Sequence, residues 1–362
     1  MTGDEPDGSQ TGVPARRSRP RATIHDVARR AGVAIGTASK ALNGRGNFRR
    51  ETHDRVRQAA RELGYRPNDL ALSLHRNQSF TVGILSNDSF GRFSFPIVEA
   101  LESVLADRGI AVFMCNATDD PARERQHVDQ LLGKQVDGLV VTARRADRRP
   151  AIALGAPGVP VVYVFSQTDD PEAFCLLPDD EGGAHMGVAH LARLGRRRIA
   201  HVTGPEHFEA VRLRRHGYLR ALAEAGLDRV TDFYRPGVWS EASGREAVAA
   251  LFDRQSPPDA IFCGNDQIAR GAADALRERG ISVPDAVSLI GFDNWEVMVT
   301  ACRPPLTSVD MNLKALGREA GDTLVRMISG ERFAGVRRLP CTLRIRQSCG
   351  GGEPGAGPTG RT

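Results

Sequence analysis

A chain of 362 residues exceeds what one small core needs and predicts two or three domains. A hydrophobic share of 41% and a charged share of 26% fit a soluble globular protein, and no apolar run approaches the length of a membrane span. The net charge of +5 hides an asymmetry: residues 1–79 carry 15 Lys+Arg against 8 Asp+Glu, so a basic head precedes a slightly acidic body. Basic heads often meet phosphate, although a merely solvated basic face would carry the same charge.

The six cysteines, Cys115, Cys175, Cys263, Cys302, Cys341 and Cys349, show no CxxC pair and no metal-ligand spacing. Several sit in apolar runs such as VFMCN and AIFCG, which predicts buried free thiols and a reducing cytoplasm. The nine histidines are dispersed, so no zinc site is expected. The opening MTGDEPDGSQTGVPARRSRP lacks the apolar core of a signal peptide.

Residues 1–20 and 350–362 are rich in Gly, Pro, Ser and charge and are expected to be disordered tails. Between them the first structured stretch is a head over residues 21–66. Thr23 followed by Asp26 predicts a capped helix start, with Val27, Ala28 and Ala31 on one face. Gly32 supplies a turn, after which Val33, Ala38 and Leu42 can pack back. A third helix should point Val56, Ala59 and Leu63 inward and Arg55, Arg57 and Arg61 outward, and end at Gly64. Three short helices with this turn fit a helix-turn-helix DNA-binding domain, although a plain alanine-rich helical pair would look similar. Pro67 then breaks the third helix, and Asn68 can cap a short one over about Asp69 to Arg76, too short to be stable alone. Residues 67–79 are therefore expected to form a hinge helix and linker that folds only when docked.

From Thr81 to residue 349 short apolar runs alternate with amphipathic stretches. The runs are TVGILS, AVFMCN, DGLVVT, VPVVYVF, RIAHVTG, DAIFCG and VSLIGF; the helical stretches include Phe95 to Arg108, Gly183 to Leu194, Ala210 to Ala225 and Gln267 to Arg279. Strands without strict alternation, each followed by a helix, predict parallel sheets covered on both faces. The pattern falls into two blocks, starting at Thr81 and Arg198, and predicts two doubly wound α/β lobes with a ligand cleft at the strand carboxyl ends.

TIHDVARRAGVAIGTASKALNG followed by ELGYRPNDLALSL resembles the head and hinge of the lactose-repressor (LacI) family of bacterial transcription regulators. LGRRRIAHVTGP, RLRRHGYLRAL, DAIFCGNDQIARGAADALRERGISVPDAVSLIGFDN and PPLTSVDMN extend the resemblance over residues 22–349. It implies an α/β fold with an N-terminal all-α head, a hinge helix and a two-lobed body like periplasmic binding proteins. It also implies a homodimer on a near-palindromic double-stranded operator and a small-molecule effector, with a carbohydrate leading and nucleobase or phosphoprotein effectors as alternatives. Thr23, Ile35, Gly36, Thr37, Ser39, Lys40 and Asn43 would meet DNA from the head, and Asn68, Ala71 and Leu74 from the hinge, with Leu74 as a minor-groove wedge. A core residue under the body is the alternative for Leu74.

The effector would meet Arg214, Trp239, Asn265 and Asp293 in the second lobe and Asp88 and Phe93 in the first, with Asp266 expected to cap the following helix and Arg212 as a surface alternative to Arg214. Trp239 could also be a plain core residue.

Several positions depart from the family pattern. Ala34 and Arg49 stand where serine caps are usual, each lost cap costing about 1 kcal/mol. Val164 replaces an aspartate and Met311 a glutamine, which makes the pocket less polar. No catalytic residue, metal or cofactor is expected. A dehydrogenase would need GxGxxG after a strand, and VTGPEH lacks it; no GxSxG elbow, zinc motif or P-loop is present either.

Overall fold

Helix α1 (Ile24–Ala31) begins because Thr23 and Asp26 cap each other: the Asp26 carboxylate accepts from the Thr23 backbone N–H at 2.9 Å, and Thr23 Oγ1 accepts from the Asp26 N–H at 3.4 Å. It ends at Gly32, whose φ of 64° is the left-handed turn that glycine adopts without strain. Helices α2 (Ile35–Leu42) and α3 (Arg50–Glu62) complete the head. Its core is Val27, Ala28, Ala31, Ala38, Ala41, Val56, Ala59 and Ala60. One expectation is corrected. Leu63 caps the end of α3 and is 37% exposed, and Ala60 takes the buried position beside Val56 and Ala59.

In this computed structural model the described residues are 22–43, 46, 48–65, 78–89, 91–154, 158–229 and 233–351. The expected hinge residues Asn68, Ala71 and Leu74, the N-terminal tail and the C-terminal tail from residue 352 lie outside them. The chain divides into two compact units, residues 1–77 and 78–362.

The body contains two six-stranded sheets. The first lobe is built on β1 (Thr81–Ser86), β2 (Ala111–Asn116), β3 (Gly138–Thr142), β5 (Val161–Val164), β7 (Phe174–Pro178) and β13 (Gly335–Leu339), in the order β13-β7-β5-β3-β1-β2 and parallel throughout. A small ladder of β4 (Arg148–Arg149) and β6 (Gln167–Thr168) lies beside it. Helices α4 (Ser94–Ala106) and α5 (Pro121–Gly133) belong to this lobe. The second lobe uses β8 (Ile199–Thr203), β9 (Tyr234–Pro236), β10 (Ala260–Cys263), β11 (Ser288–Phe292), β12 (Thr307–Asp310) and β14 (Thr342–Arg344), in the order β14-β12-β11-β10-β8-β9. Only the edge pair β12 and β14 is antiparallel among these ladders. All seven apolar runs became strands, because buried parallel strands need apolar side chains on both faces.

The two-block reading is corrected in its connectivity. Helix α6 (Asp180–Arg193) follows the first lobe's β7 but packs on α7 (Glu209–Glu224) of the second, sharing a core of Ala184, Val188 and Leu191 with Tyr218, Ala221 and Leu222. Conversely, α11 (Leu313–Ile328) and β13 follow the second lobe's β12 but complete the first. The chain thus crosses between lobes after β7, after β12 and after β13. The remaining helices, α8 (Glu241–Phe252), α9 (Asp266–Glu278) and α10 (Glu296–Ala301), cover the second sheet. Among the described residues no helix is long and apolar enough to cross a membrane.

Candidate functional site

The head presents one edge of α2. Ile35 is 45% exposed, Gly36, Lys40 and Asn43 are exposed, and Thr37 and Ser39 are half-buried. Gly36, Lys40 and Asn43 are spaced four and three apart, so they lie in one row on the helix surface. Neither Ala34 at the start of α2 nor Arg49 at the start of α3 makes a side-chain cap bond. Gly36 has a further property: a Cβ built there meets nothing within 4 Å. Packing therefore does not require a glycine at this exposed helical position, where glycine costs about 1 kcal/mol relative to alanine. Thr23 is exposed but has its hydroxyl bonded to Asp26 at 2.7 Å, so its first role is the cap.

In the body, the loops at the carboxyl ends of the two sheets meet. Arg214 on α7 is buried, 5% exposed, and is satisfied from within. Its Nε and Nη2 reach Asp180 Oδ1 at 2.8 and 2.7 Å, and Nη1 donates to the Gly264 carbonyl at 2.5 Å. Its guanidinium carbon lies 3.6 Å from the Phe292 ring centroid, and Nη2 is 3.7 Å from Asp293 Oδ1. Burial raises the Asp180 carboxyl above the usual range even though Arg214 pulls it down. Arg212, the surface alternative, is exposed. Trp239 is half-buried, stacks on Phe208 with centroids 6.4 Å apart, and lies over Gly204, where a Cβ would come within 2.3 Å of the indole. That close approach puts the ring at the carboxyl end of β8.

Asn265 and Asp266 take roles other than those expected. Asn265 caps α9, its Oδ1 accepting the Ile268 N–H at 2.9 Å. Asp266 is fully buried and holds the next two segments, accepting from the Trp295 N–H at 2.7 Å and the Ser308 hydroxyl at 2.6 Å. Burial, with the neighbouring Asp293 charge, pushes its carboxyl up to about 8. Asp88 is corrected as well. Its carboxylate accepts from the N–H groups of Gly91, Phe93 and Ser94 and from the Ser94 hydroxyl, so it fastens the loop into α4 rather than facing a ligand. Phe93 stacks on Phe165 with centroids 5.0 Å apart. Val164 is buried in the core, and Met311 is buried beside Arg214 Nη2, its sulfur 3.9 Å away.

Asp293 follows β11 as expected and is buried. Its carboxyl is raised by burial, with Asp180 adding to the rise and the Arg92 and Arg214 guanidiniums opposing it. The ion-pair partner, Arg92, was not singled out from the sequence. Neither were Asp180, Trp295 or Phe165. The one sequence signal for Arg92 is its setting in FGRFSF, a cation among aromatic residues.

A helix-turn-helix head with an exposed edge, followed by a two-lobed binding-protein body, defines a DNA-binding regulator of transcription with a sensor body. Residues 23–68 match the model of the bacterial regulatory proteins of the lacI family, and residues 188–349 that of the periplasmic binding protein-like domain. The HTH-type transcriptional repressor CytR of Escherichia coli (strain K12) is 30% identical over 335 residues, covering 92% of this chain and 98% of that protein. Catabolite control protein A of Priestia megaterium is 31% identical, covering 90% and 98%. A solved structure of the Lac repressor dimer bound to operator and the anti-inducer ONPF superposes with a TM-score of 0.72 at 28% identity, covering 91% and 99%. That of the transcriptional regulator CelR with cellobiose gives 0.63 at 29%, covering 91% and 100%. The chain belongs to the LacI family.

Proposed function

We propose that this protein is a cytoplasmic repressor that binds a near-palindromic operator as a homodimer and is controlled by a sugar or sugar derivative held between its lobes. It is not an enzyme in this reading. The observation that carries the DNA half is Gly36, an exposed helical glycine that the head does not need for packing. A glycine there lets the α2 backbone approach base edges, with Ile35 offering apolar contact to a thymine methyl and Lys40 and Asn43 offering donors. Gly36→Ala is expected to stabilise α2 by about 1 kcal/mol while lowering operator affinity about ten-fold or more. Unchanged operator affinity, in a titration at fixed salt, would contradict the assignment. A homodimer is supported by Phe95 on α4, 61% exposed, with Phe113 and Met114 on the edge strand β2, 45% and 40% exposed.

The effector half rests on the aromatic and ionic lining. Trp239 offers an indole suited to the C–H face of a sugar, Phe93 lies between Phe165 and Arg92 in the first lobe, and Asp293 and Arg214 suit hydroxyls. A nucleobase is the second reading, favoured by the aromatic side chains Trp239, Phe208 and Phe93 in the lining. A thermal-shift screen against monosaccharides, disaccharides and nucleosides distinguishes them. A ligand at a hundred times its Kd adds about 2.7 kcal/mol of stability, a rise in Tm of about 5 °C for a body of this size. A shift with nucleosides only would replace the sugar reading.

A further inference from the structure

Arg92 belongs to the loop between β1 and α4 of the first lobe, yet its side chain ends in the second. One Nη forms an ion pair with Asp293 Oδ2, and the other donates to Gln267 Oε1 at 3.1 Å. Its guanidinium carbon sits 4.3 Å from the Trp295 ring centroid and 4.7 Å from that of Phe93. The two side chains are 14% and 5% exposed. A guanidinium bonded through both end nitrogens and flanked by two aromatic faces is confined to one geometry, and its pair with a carboxylate is little screened at this depth.

Asp293 depends on this partner. Its φ of 99° is a left-handed conformation rare for a non-glycine residue, so the loop is held there by its surroundings. Its other cation, Arg214, stands 3.7 Å away and is already bonded to Asp180. The lobes also touch between the loop after β3 and the start of α7. The Glu209 N–H donates to Asp147 Oδ1 at 2.9 Å, and the Arg145 guanidinium lies 4.7 Å from the Phe208 ring centroid. That contact is more open, the Asp147 side chain being 33% exposed, and it is joined by an ion pair of the Glu209 carboxylate with Arg338 of β13 at 3.0 Å.

We propose that Arg92 is a latch: it ties the two lobes together across the cleft by pairing with Asp293. Asp293 is also the carboxylate assigned to the effector, so a ligand whose hydroxyls bond it displaces the guanidinium and resets the lobe angle. This consequence rests on the effector reading above, whereas the latch itself does not. A sugar-like effector therefore exchanges one tie between the lobes for another, and its apparent affinity carries the cost of releasing Arg92.

The full chain tests this without operator or effector, so failure of the latch is separable from failure of the regulator reading. The chain has two tryptophans, so Trp295 is the only one left in a Trp239→Phe background. Arg92→Met in that background is expected to raise acrylamide quenching of Trp295 about three-fold, and Arg92→Lys by a smaller factor, since an ammonium cannot bond Asp293 and Gln267 in the same fork. Hydrogen exchange supplies the readout that mere local cover would not move. If Arg92 holds the lobes, amides at residues 145–147 and 207–209 at this second contact exchange about ten-fold faster in Arg92→Met. Should Arg92→Met not fold, Arg92→Lys carries the same two readouts. Unchanged quenching overturns the proposal. So does increased quenching with unchanged exchange at the second contact, which would make Arg92 only a cover for Trp295.

Discussion

Arg214→Ala is expected to destabilise the body by about 3–5 kcal/mol, because it leaves the buried Asp180 carboxylate without its cation. The guanidinium bonds Asp180 twice and the Gly264 carbonyl once, and it covers the Phe292 ring. Asp180 is 2% exposed, so bulk solvent cannot replace those contacts. Burial already raises Asp180, so the variant relieves part of its loss by taking up a proton, and its deficit should shrink as the pH falls. The double variant Arg214→Met with Asp180→Asn removes both charges and should recover most of the stability, as replacing a buried ion pair by neutral groups commonly does. Denaturant unfolding at pH 7 checks this, and an Arg214→Ala body within about 1 kcal/mol of the parent would contradict it. Loss of effector response in Arg214→Ala alone therefore does not separate a broken contact from a loosened lobe. Trp239→Phe, at a half-buried position on the β8 end, separates them better.

The second large effect is a dependence of stability on pH carried by His201. This side chain lies in the middle of β8, fully buried, with ring contacts to Phe262, Tyr218 and Tyr234 at 5.0, 5.2 and 5.6 Å between centroids. Nδ1 is 3.0 Å from the Phe262 carbonyl, which fixes the proton on that nitrogen, and Nε2 is buried without a partner among the described residues. Burial holds its pKa down to about 4 from 6.5, with Arg214 and Arg215 adding to the fall and the Phe262 bond opposing it. The folded pKa is below the unfolded one, so the unfolded chain binds the proton first as pH drops. No penalty exists above about pH 6.5; it grows between 6.5 and about 4 and then levels off at about 3 kcal/mol. Asp266, raised to about 8, acts with the opposite sign: it favours the fold at low pH, and that gain is lost as pH rises through 8. The measurable quantity is therefore a difference. The stability lost by the parent between pH 7 and pH 4, less that lost by His201→Leu, should be about 3 kcal/mol. Equal losses in the two proteins would place the titration elsewhere.

The apolar run RIAHVTG that carries His201 was legible as a buried strand, although His201 itself was not singled out. The strands were legible for the same reason: buried parallel strands are written as short apolar runs, and each of the seven formed where its run lies. The Thr23–Asp26 cap and the Gly32 turn were legible because they act over a few residues. What distance decides was not. The amphipathic pattern of α11 says that it covers a sheet but not which one, and it returns to the first lobe. Asn265 and Asp266 are equally good caps on paper; Asp266 is drawn away only because the fold brings the Ser308 hydroxyl and the Trp295 N–H beside it. Asp88 reads as a cleft carboxylate until the turn through Gly91 aims four donors at it. Arg92 meets Asp293 from a loop 201 residues away, a pairing that no local pattern encodes.

The central claim is that this chain reads DNA through α2 with a leading edge poor in hydrogen-bonding side chains. Selection of binding sites from random double-stranded DNA by the full protein at fixed salt tests it most directly. The account predicts a two-fold symmetric consensus whose half-sites are lost in the Lys40→Ala, Asn43→Ala variant, with non-specific binding retained. Recovery of no consensus by the parent, or of the same consensus by that variant, would contradict it.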